Sequence, residues 1–316
     1  MKTWGIVAVT ICFLVVAGAG ASRAGTVRAW GANVFGQSDA PDGSAFVAVA
    51  GGVNHSLALR SDGSIVAWGL HDYAICDVPE GNDFVAISAG GLHSVALRAD
   101  GSLVAWGDNW DGQCDVPPGN DFVDVAAGLA WGFALQEDGS LVHWGDFSYV
   151  VPQMPPLIDI AAGYSHVLGL TNWGQIVAWG SDLDGRCDVP LGYDFVDLTA
   201  GIKHSVALRG DGSLVAWGSN EYGQIDVPAG NDFVAIAAGS HHTLALRSDG
   251  SVVAWGSNSH GQCDVPPGND YLAIGAGGPH SLAIVPEPST LAGLITLATA
   301  ALLWHALRRR KTRAAR

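Results

Sequence analysis

The dipeptide Trp-Gly recurs at Trp30, Trp68, Trp106, Trp144, Trp179, Trp217 and Trp255, at spacings of 38, 38, 38, 35, 38 and 38 residues. A fixed period of this length means one supersecondary unit stacked on copies of itself. A full unit runs from Phe84 to Gly107, and a link over residues 108–121 leads to the next Phe122. Each unit holds three strand-like runs, here Phe84–Ala89, His93–Arg98 and Leu103–Trp106. Asp100-Gly101 between the last two predicts a two-residue type I′ hairpin, whose central positions both take positive φ. That turn would pair Leu97 with Val104 and Val95 with Trp106, giving a bulky face (Val95, Leu97, Val104, Trp106) and a small face (Ala96, Ala105). Bulky-on-small stacking either runs on as an array or closes into a ring.

Closure follows from the order of the runs. The first runs start at Phe46, Phe84, Phe122, Leu157, Phe195, Phe233 and Tyr271, and the second at His55, His93, Trp131, His166, His204, His242 and His280. The third run of the series comes first in the chain, at Thr26–Trp30, and the last unit stops at Ile284 without one. An N-terminal strand completing the last unit closes a seven-bladed propeller, an all-β fold. The elements Val-Ala-Trp-Gly, Ala-Gly-x-x-His-Ser and Leu-Ala-Leu-Arg-x-Asp-Gly resemble the regulator-of-chromosome-condensation repeat. The short unit is similar to the β-lactamase inhibitor protein II branch. The resemblance spans residues 26–284 and implies a seven-bladed propeller. Two departures stand out: Trp131 replaces the repeated His, and the link from Trp144 to Leu157 is three residues short, reads Pro152-Gln153-Met154-Pro155-Pro156, and predicts local irregularity.

The ends differ from the repeats. Residues 1–24 read as a secretory signal: Lys2, the apolar run Gly5–Ala17, then small residues. Residues 285–316 begin Val285-Pro286-Glu287-Pro288, continue through apolar Leu291–Leu307 and end in Arg308-Arg309-Arg310-Lys311. A largely apolar run of seventeen residues is at the short limit of a membrane span. This tail resembles the PEP-CTERM sorting signal, which implies export by a Gram-negative bacterium and a transient inner-membrane anchor. It also implies processing by an exosortase near Pro286, Glu287 and Pro288, with the product at the cell surface or in the extracellular matrix.

Residues 25–284 hold 29 of the 30 acidic residues and only seven basic ones, a balance of −22. Nucleic acid is a poor partner for such a body, because binding it depends on Lys and Arg neutralising phosphates. Charged residues are 14% of the chain and Gly numbers 43, which fits buried sheets joined by tight turns.

Repeated polar residues read as structural. The six His are expected to bond backbone at strand starts, since neighbours a sheet spacing of about 10 Å apart cannot share a metal. Cys76, Cys114, Cys187 and Cys263 occupy one repeat slot, filled elsewhere by Ser38 and Ile225, and are expected as free packed thiols. Asp108–Asp111 and Asp182–Asp184 do not complete a 12-residue calcium loop. No unrepeated catalytic set is read, and no cofactor or metal is expected. The links after Trp-Gly vary most. Their Phe35, Tyr73, Trp110, Tyr149 and Tyr222, with Asp72, Asp111, Asp184 and Glu221, are the candidate partner-binding rim. The expectation is a monomeric, non-catalytic exported module binding an extracellular protein or polysaccharide. The alternative is a glycan-active enzyme with its site in the central channel.

Overall fold

The computed structural model describes residues 24–287. The secretory signal, Pro288 and the apolar and basic tail lie outside the described residues. Seven three-stranded antiparallel units follow one another around a central channel. The inner strands are Phe46–Gly51, Phe84–Ala89, Phe122–Ala127, Leu157–Ala162, Phe195–Ala200, Phe233–Ala238 and Ala273–Ala276. Middle strands begin at the repeated His or at Trp131, and outer strands end in Trp-Gly. We number the units 1 to 7 from the inner strand Phe46–Gly51.

The outer strand of unit 7 is the N-terminal strand Gly25–Gly31. It pairs antiparallel with His280–Pro286 over its whole length, from Gly25 opposite Pro286 to Gly31 opposite His280. The last strand thus runs two residues past Ile284, because Gly25 and Thr26 supply partners there. The described chain therefore begins and ends side by side.

The hairpin differs from the expected type. Arg98 N–H donates to Ser102 C=O at 2.9 Å and Gly101 N–H to Arg98 C=O at 3.0 Å. The loop is a three-residue one in which Gly101 alone takes positive φ, at 84°. This is a type I turn closed by a glycine bulge. Asp100 stays out of the left-handed region because its carboxylate accepts the amide and hydroxyl of Ser102, at 2.9 and 2.7 Å. The register is therefore one residue from the expected one: Leu97 faces Leu103, Ala96 faces Val104, Val95 faces Ala105 and Ser94 faces Trp106.

The shift changes which face is which. Val95, Leu97 and Leu103 share one face, while Ala96, Val104 and Trp106 share the other. Each Trp then lies beside an Ala, or in unit 4 beside Gly169, and covers the preceding unit. Leu57 and Leu59 of unit 1 meet Ile87, Ala96 and Trp106 of unit 2. Leu244 and Leu246 of unit 6 meet Ile274, Ala283 and Trp30 of unit 7. Leu282 and Ile284 of unit 7 meet Val49, Ala58 and Trp68 of unit 1, which closes the ring.

Closure by the first strand has a measurable consequence. Removing residues 25–31 exposes the last strand and strips Trp30 from unit 7. Loss of one such buried Trp costs about 3–5 kcal/mol, or a melting temperature lower by more than about 6 °C in a domain of this size. Differential scanning calorimetry of the truncated and intact proteins checks this, and equal midpoints would contradict closure.

Candidate binding surface

Strand direction sorts the loops onto two faces. The first part of each link after Trp-Gly and the turns before each repeated His lie on one, which we call the rim face, and each link then crosses to the other face to enter the next inner strand. The hairpin turns lie on the opposite, turn face, where the described chain also begins and ends.

The units are locked together from the rim side. His280 Nε2 donates to Ser56 Oγ of unit 1 at 2.8 Å, and Ser56 Oγ donates to the Gln37 carbonyl at 2.9 Å. Trp68 Nε1 donates to the same carbonyl at 2.9 Å. Because the Ser proton goes to the carbonyl, the His carries its proton on Nε2. Equivalent His contacts join His55 to Ser94, His166 to Ser205, His204 to Thr243 and His242 to Ser281, at 2.8–3.0 Å. Five of the six repeated His thus bond the hydroxyl of the following unit rather than backbone, and His93 faces Gly132, which has none. Gly52 before His55 allows this, since a Cβ there would sit 2.1 Å from the imidazole.

The same lock holds the rim loops. Gln37, whose carbonyl accepts Trp68, also accepts the Phe35 amide on its side chain at 2.9 Å. Gln113, Gln224 and Gln262 hold Asp111, Tyr222 and His260 in the same way, at 2.8–2.9 Å. The Gln side chains are buried, whereas the residues they position project outward. Phe35, Tyr73, Trp110, Tyr149 and Tyr222 are 42–86% exposed, with Trp110 the most open.

Four of these aromatics stand on consecutive links, so Phe35, Tyr73, Trp110 and Tyr149 form an arc over half the ring. Tyr73 and Trp110 flank a shallow cleft over Gly107, Asp108 and Asn109. Tyr73 and Ala74 both take left-handed backbone, at φ 60° and 57°. Such residues cost of order 1–3 kcal/mol each and concentrate at functional sites. Tyr149 also packs on Phe147, with ring centroids 5.6 Å apart. Tyr222 stands beyond the arc, its ring against His241 at 5.0 Å. Asp72, Asp111 and Glu221 are exposed, but Asp184 is half-buried and bonded to Arg186, with Lys203 at 4.0 Å.

The irregular junction falls between units 3 and 4. Trp131 takes the place of His, Val167 that of Ser, and Trp179 Nε1 has no partner among the described residues. Edge-to-face rings fill the gap: Phe147 lies 4.9 Å from both Trp131 and Phe133. The thiols of Cys76, Cys114, Cys187 and Cys263 are free and donate to carbonyls six residues back. Ser38 makes the same bond to Ala32 at 2.8 Å, while Ile225 fills the slot without one. Burial pushes each thiol up to about 11.

One unrepeated acidic set escaped the sequence reading. Asp124, Asp159 and Asp197 occupy the inner-strand position that is Ala48, Ala86, Ala235 and Ala273 in the other units. Aligning inner strands unit by unit would have found it. Asp124 accepts its own following amide, Val125 N–H, at 2.7 Å and also bonds the Ile160 amide of the next unit. Leu198 N–H likewise donates to Asp197 at 2.9 Å. Asp124 and Asp197 thus satisfy amides on the channel-facing strand edge, and burial raises the Asp124 carboxyl well above the usual carboxylate range. The channel encloses about 200 Å³, lined mainly by Ala, Gly and short aliphatic residues. Its Ser88 and Thr199 hydroxyls accept the Ala127 and Ala238 amides of the next units, at 2.9 and 3.0 Å.

Comparison with known proteins agrees with this geometry. The family model of the regulator of chromosome condensation (RCC1) repeat matches residues 46–74, 84–113, 157–186, 195–224 and 233–262. Prp20p from Saccharomyces cerevisiae superposes with a TM-score of 0.71 at 18% identity, over 92% of this chain and 96% of that one. Human WBSCR16 gives 0.69 at 16% identity, covering 84% and 99%. The ectodomain of the Physcomitrella patens receptor kinase CR4 gives 0.63 at 24% identity, covering 73% and 68%. No curated protein sequence matches the chain. Five of the seven units thus match the RCC1-repeat model, and the body is a propeller of repeats similar to it.

The locking histidines predict an acid limit. Burial lowers His55, His166, His204 and His242 to about 3 and His93 and His280 to about 4. Unfolded His titrates near about 6.5, so below that pH the unfolded chain binds more protons. Stability is therefore full above about pH 6.5 and falls as the pH drops toward the folded values, by at most about 1.4 kcal/mol per His per pH unit. Asp124 acts in the opposite direction, one group against six. Urea unfolding should show a lower midpoint at pH 5 than at pH 7.5, and an unchanged or higher midpoint would refute the role given to these residues.

Proposed function

We propose that this RCC1-type propeller is an exported, monomeric, non-catalytic binding module that takes its partner on the rim face. The observation that carries this reading is the exposed aromatic arc Phe35–Tyr73–Trp110–Tyr149, joined by Tyr222. Aromatic side chains fixed on a rigid scaffold are the usual anchors of protein recognition. Gln37 and Gln224 hold the amides of Phe35 and Tyr222, so two rim positions are fixed before any partner arrives. The solved structures supply a precedent for the fold: yeast Prp20p is described with its binding to Gsp1p and histones, and in complex with Kap60. An extracellular protein is the partner that such anchors fit best, with a neutral polysaccharide second. The acidic balance of −22 over residues 25–284 speaks against nucleic acid. A glycan-active enzyme in the channel would have to work among mostly small side chains, with the Ser88 and Thr199 hydroxyls and the Asp197 carboxylate already bonded to amides.

The ends complete the reading. Residues 1–24 direct export, 291–307 hold the protein transiently in the inner membrane, and an exosortase acts near Pro286, Glu287 and Pro288. The product belongs to the cell surface or extracellular matrix of a Gram-negative bacterium. Intact-mass analysis of the surface fraction should find a chain lacking Leu291–Arg316, and a retained Arg-rich end would leave only a plain membrane anchor.

Alanine substitution separates recognition from packing. In capture experiments on surface polymers and secreted proteins, Trp110→Ala and Tyr73→Ala should weaken retention of the partner by about 2 kcal/mol or more, the loss expected at a hot spot. Thermal midpoints should change little, since exposed substitutions usually fall within about 0.5 kcal/mol. Tyr149→Ala should also lower stability, through its contact with Phe147. If the first two variants lose stability and keep binding, the rings are loop packing.

A further inference from the structure

Of the six hairpin turns on the turn face, five follow one pattern and the one at the junction of units 4 and 5 departs from it. In five units the hairpin turn carries an Asp (Asp62, Asp100, Asp138, Asp211, Asp249) that accepts the amide of the Ser two residues on. Unit 4 has Trp173 in that place. Its turn is held instead by Thr171, whose Oγ1 donates to the Gln175 carbonyl and accepts the Gln175 amide, each at 3.1 Å. Trp173 is thereby released from any part in the turn, and it is 60% exposed.

Two further departures sit beside it. Tyr193 replaces the Asn found at Asn82, Asn120, Asn231 and Asn269, and Leu191 stands where other links have Glu80, Pro118, Ala229 and Pro267. These side chains are 72% and 96% exposed. The turn and the link are in contact: Phe195 N–H donates to the Gly174 carbonyl at 3.1 Å, and a Cβ on Gly174 would meet the Tyr193 carbonyl at 2.6 Å. Three large apolar departures thus share one junction, and none fills space in the fold.

The surroundings indicate what would cover them. Cations on this face are already engaged: Arg98, Arg209 and Arg247 bond Asp83, Asp194 and Asp232 and lie over Phe84, Phe195 and Phe233, 4.5–4.7 Å from the ring centroids. Unit 4 has no such cation, since Thr171 occupies the Arg position. The neighbouring turns of units 3 and 5 present Asp138 and Asp211, and hydrogen bonds from Ser140 and Ser213 keep both carboxyls below the usual range. Two bare aromatic rings on a face whose adjacent turns carry carboxylates, in a body with a balance of −22, attract a guanidinium or ammonium group.

We propose that Trp173, Leu191 and Tyr193 form a second binding site, for a cationic peptide segment of a partner protein. An Arg or Lys of that segment lies over the Trp173 or Tyr193 ring, its charge balanced by Asp138 and Asp211, and an adjacent aliphatic residue covers Leu191. The site lies on the face opposite the aromatic arc and does not depend on the rim reading.

The test uses the exported protein and a labelled dodecapeptide of alternating Arg and Leu, with a Glu-Leu peptide as the counterpart. Trp173→Asp and Tyr193→Asn restore the residue types of the other units, so the fold should tolerate them and thermal midpoints should stay unchanged. The Arg-Leu peptide should bind the parent protein, more weakly as salt rises, and the Glu-Leu peptide should not. The double variant should bind on the order of tenfold more weakly, while Trp110→Ala should bind like the parent. The proposal is overturned if the parent does not bind the peptide, or if the double variant binds equally well, which would mean diffuse attraction to the acidic body. It is also overturned if the double variant melts lower, if sedimentation shows a parent dimer that the variant dissociates, or if a neutral glucan displaces the peptide from the parent.

Discussion

Each link carbonyl that receives the following unit's Trp ties this ring together. At Gln37 that one oxygen accepts both Trp68 Nε1 and Ser56 Oγ, and Ser56 in turn accepts from His280 of the preceding unit. Arg186 and Gln262 play the same part for Trp217 with Ser205 and for Trp30 with Ser281. Three elements of two units thus meet at an atom shielded from water, where a hydrogen bond left unmade would cost about 1–3 kcal/mol. The hydrophobic contact supplies most of the driving force, but it is tolerant of sliding. The shared carbonyl is directional, and it fixes how one unit sits on the next.

That directionality reaches the surface. The Gln that offers its carbonyl inward offers its side chain to the amide two residues earlier, where Phe35, Asp111 or Tyr222 stands. Inter-unit geometry and rim geometry are therefore set by the same residue. The junction between units 3 and 4 lacks the device. Trp131, Val167 and the shortened link remove the His, the hydroxyl and the carbonyl, and Phe147 fills the space with ring contacts. Tyr149, two residues on, is consequently held by packing on Phe147 instead of by a Gln.

The period, the order of strands and the closing N-terminal strand were all legible in the sequence, because they depend on spacing alone. The register was not. Asp-Gly serves a two-residue turn and a three-residue bulged turn equally well, and the choice rests on whether Gly alone or Asp as well takes positive φ. Asp100 decides it through its bonds to Ser102, a side-chain preference that the hydrophobic pattern does not carry. The role of the His was hidden for a related reason: its partner lies 39 residues away, as in His55 to Ser94, and only the closed ring brings the two together. The exposed rim was legible as variation between links. Asp124 and Trp173 were visible by the same logic, but only when inner strands and turns are compared position by position.

Variation alone does not mark a functional residue in a repeat protein; variation without a packing consequence does. Asp124 departs from Ala, yet its carboxylate bonds amides on the inner-strand edge, so the departure is accounted for within the fold. Trp131 departs from His and fills its own gap, where Gly128 leaves room for the indole at 2.3 Å from a Cβ position. Trp110 and Trp173 touch no comparable vacancy and stand in water at a hydrophobic cost that folding does not recover. They also stand on opposite faces, and the described chain begins and ends on the face of Trp173. Two exposed aromatic surfaces on opposite faces leave the packing between units untouched, so each can vary without disturbing the ring.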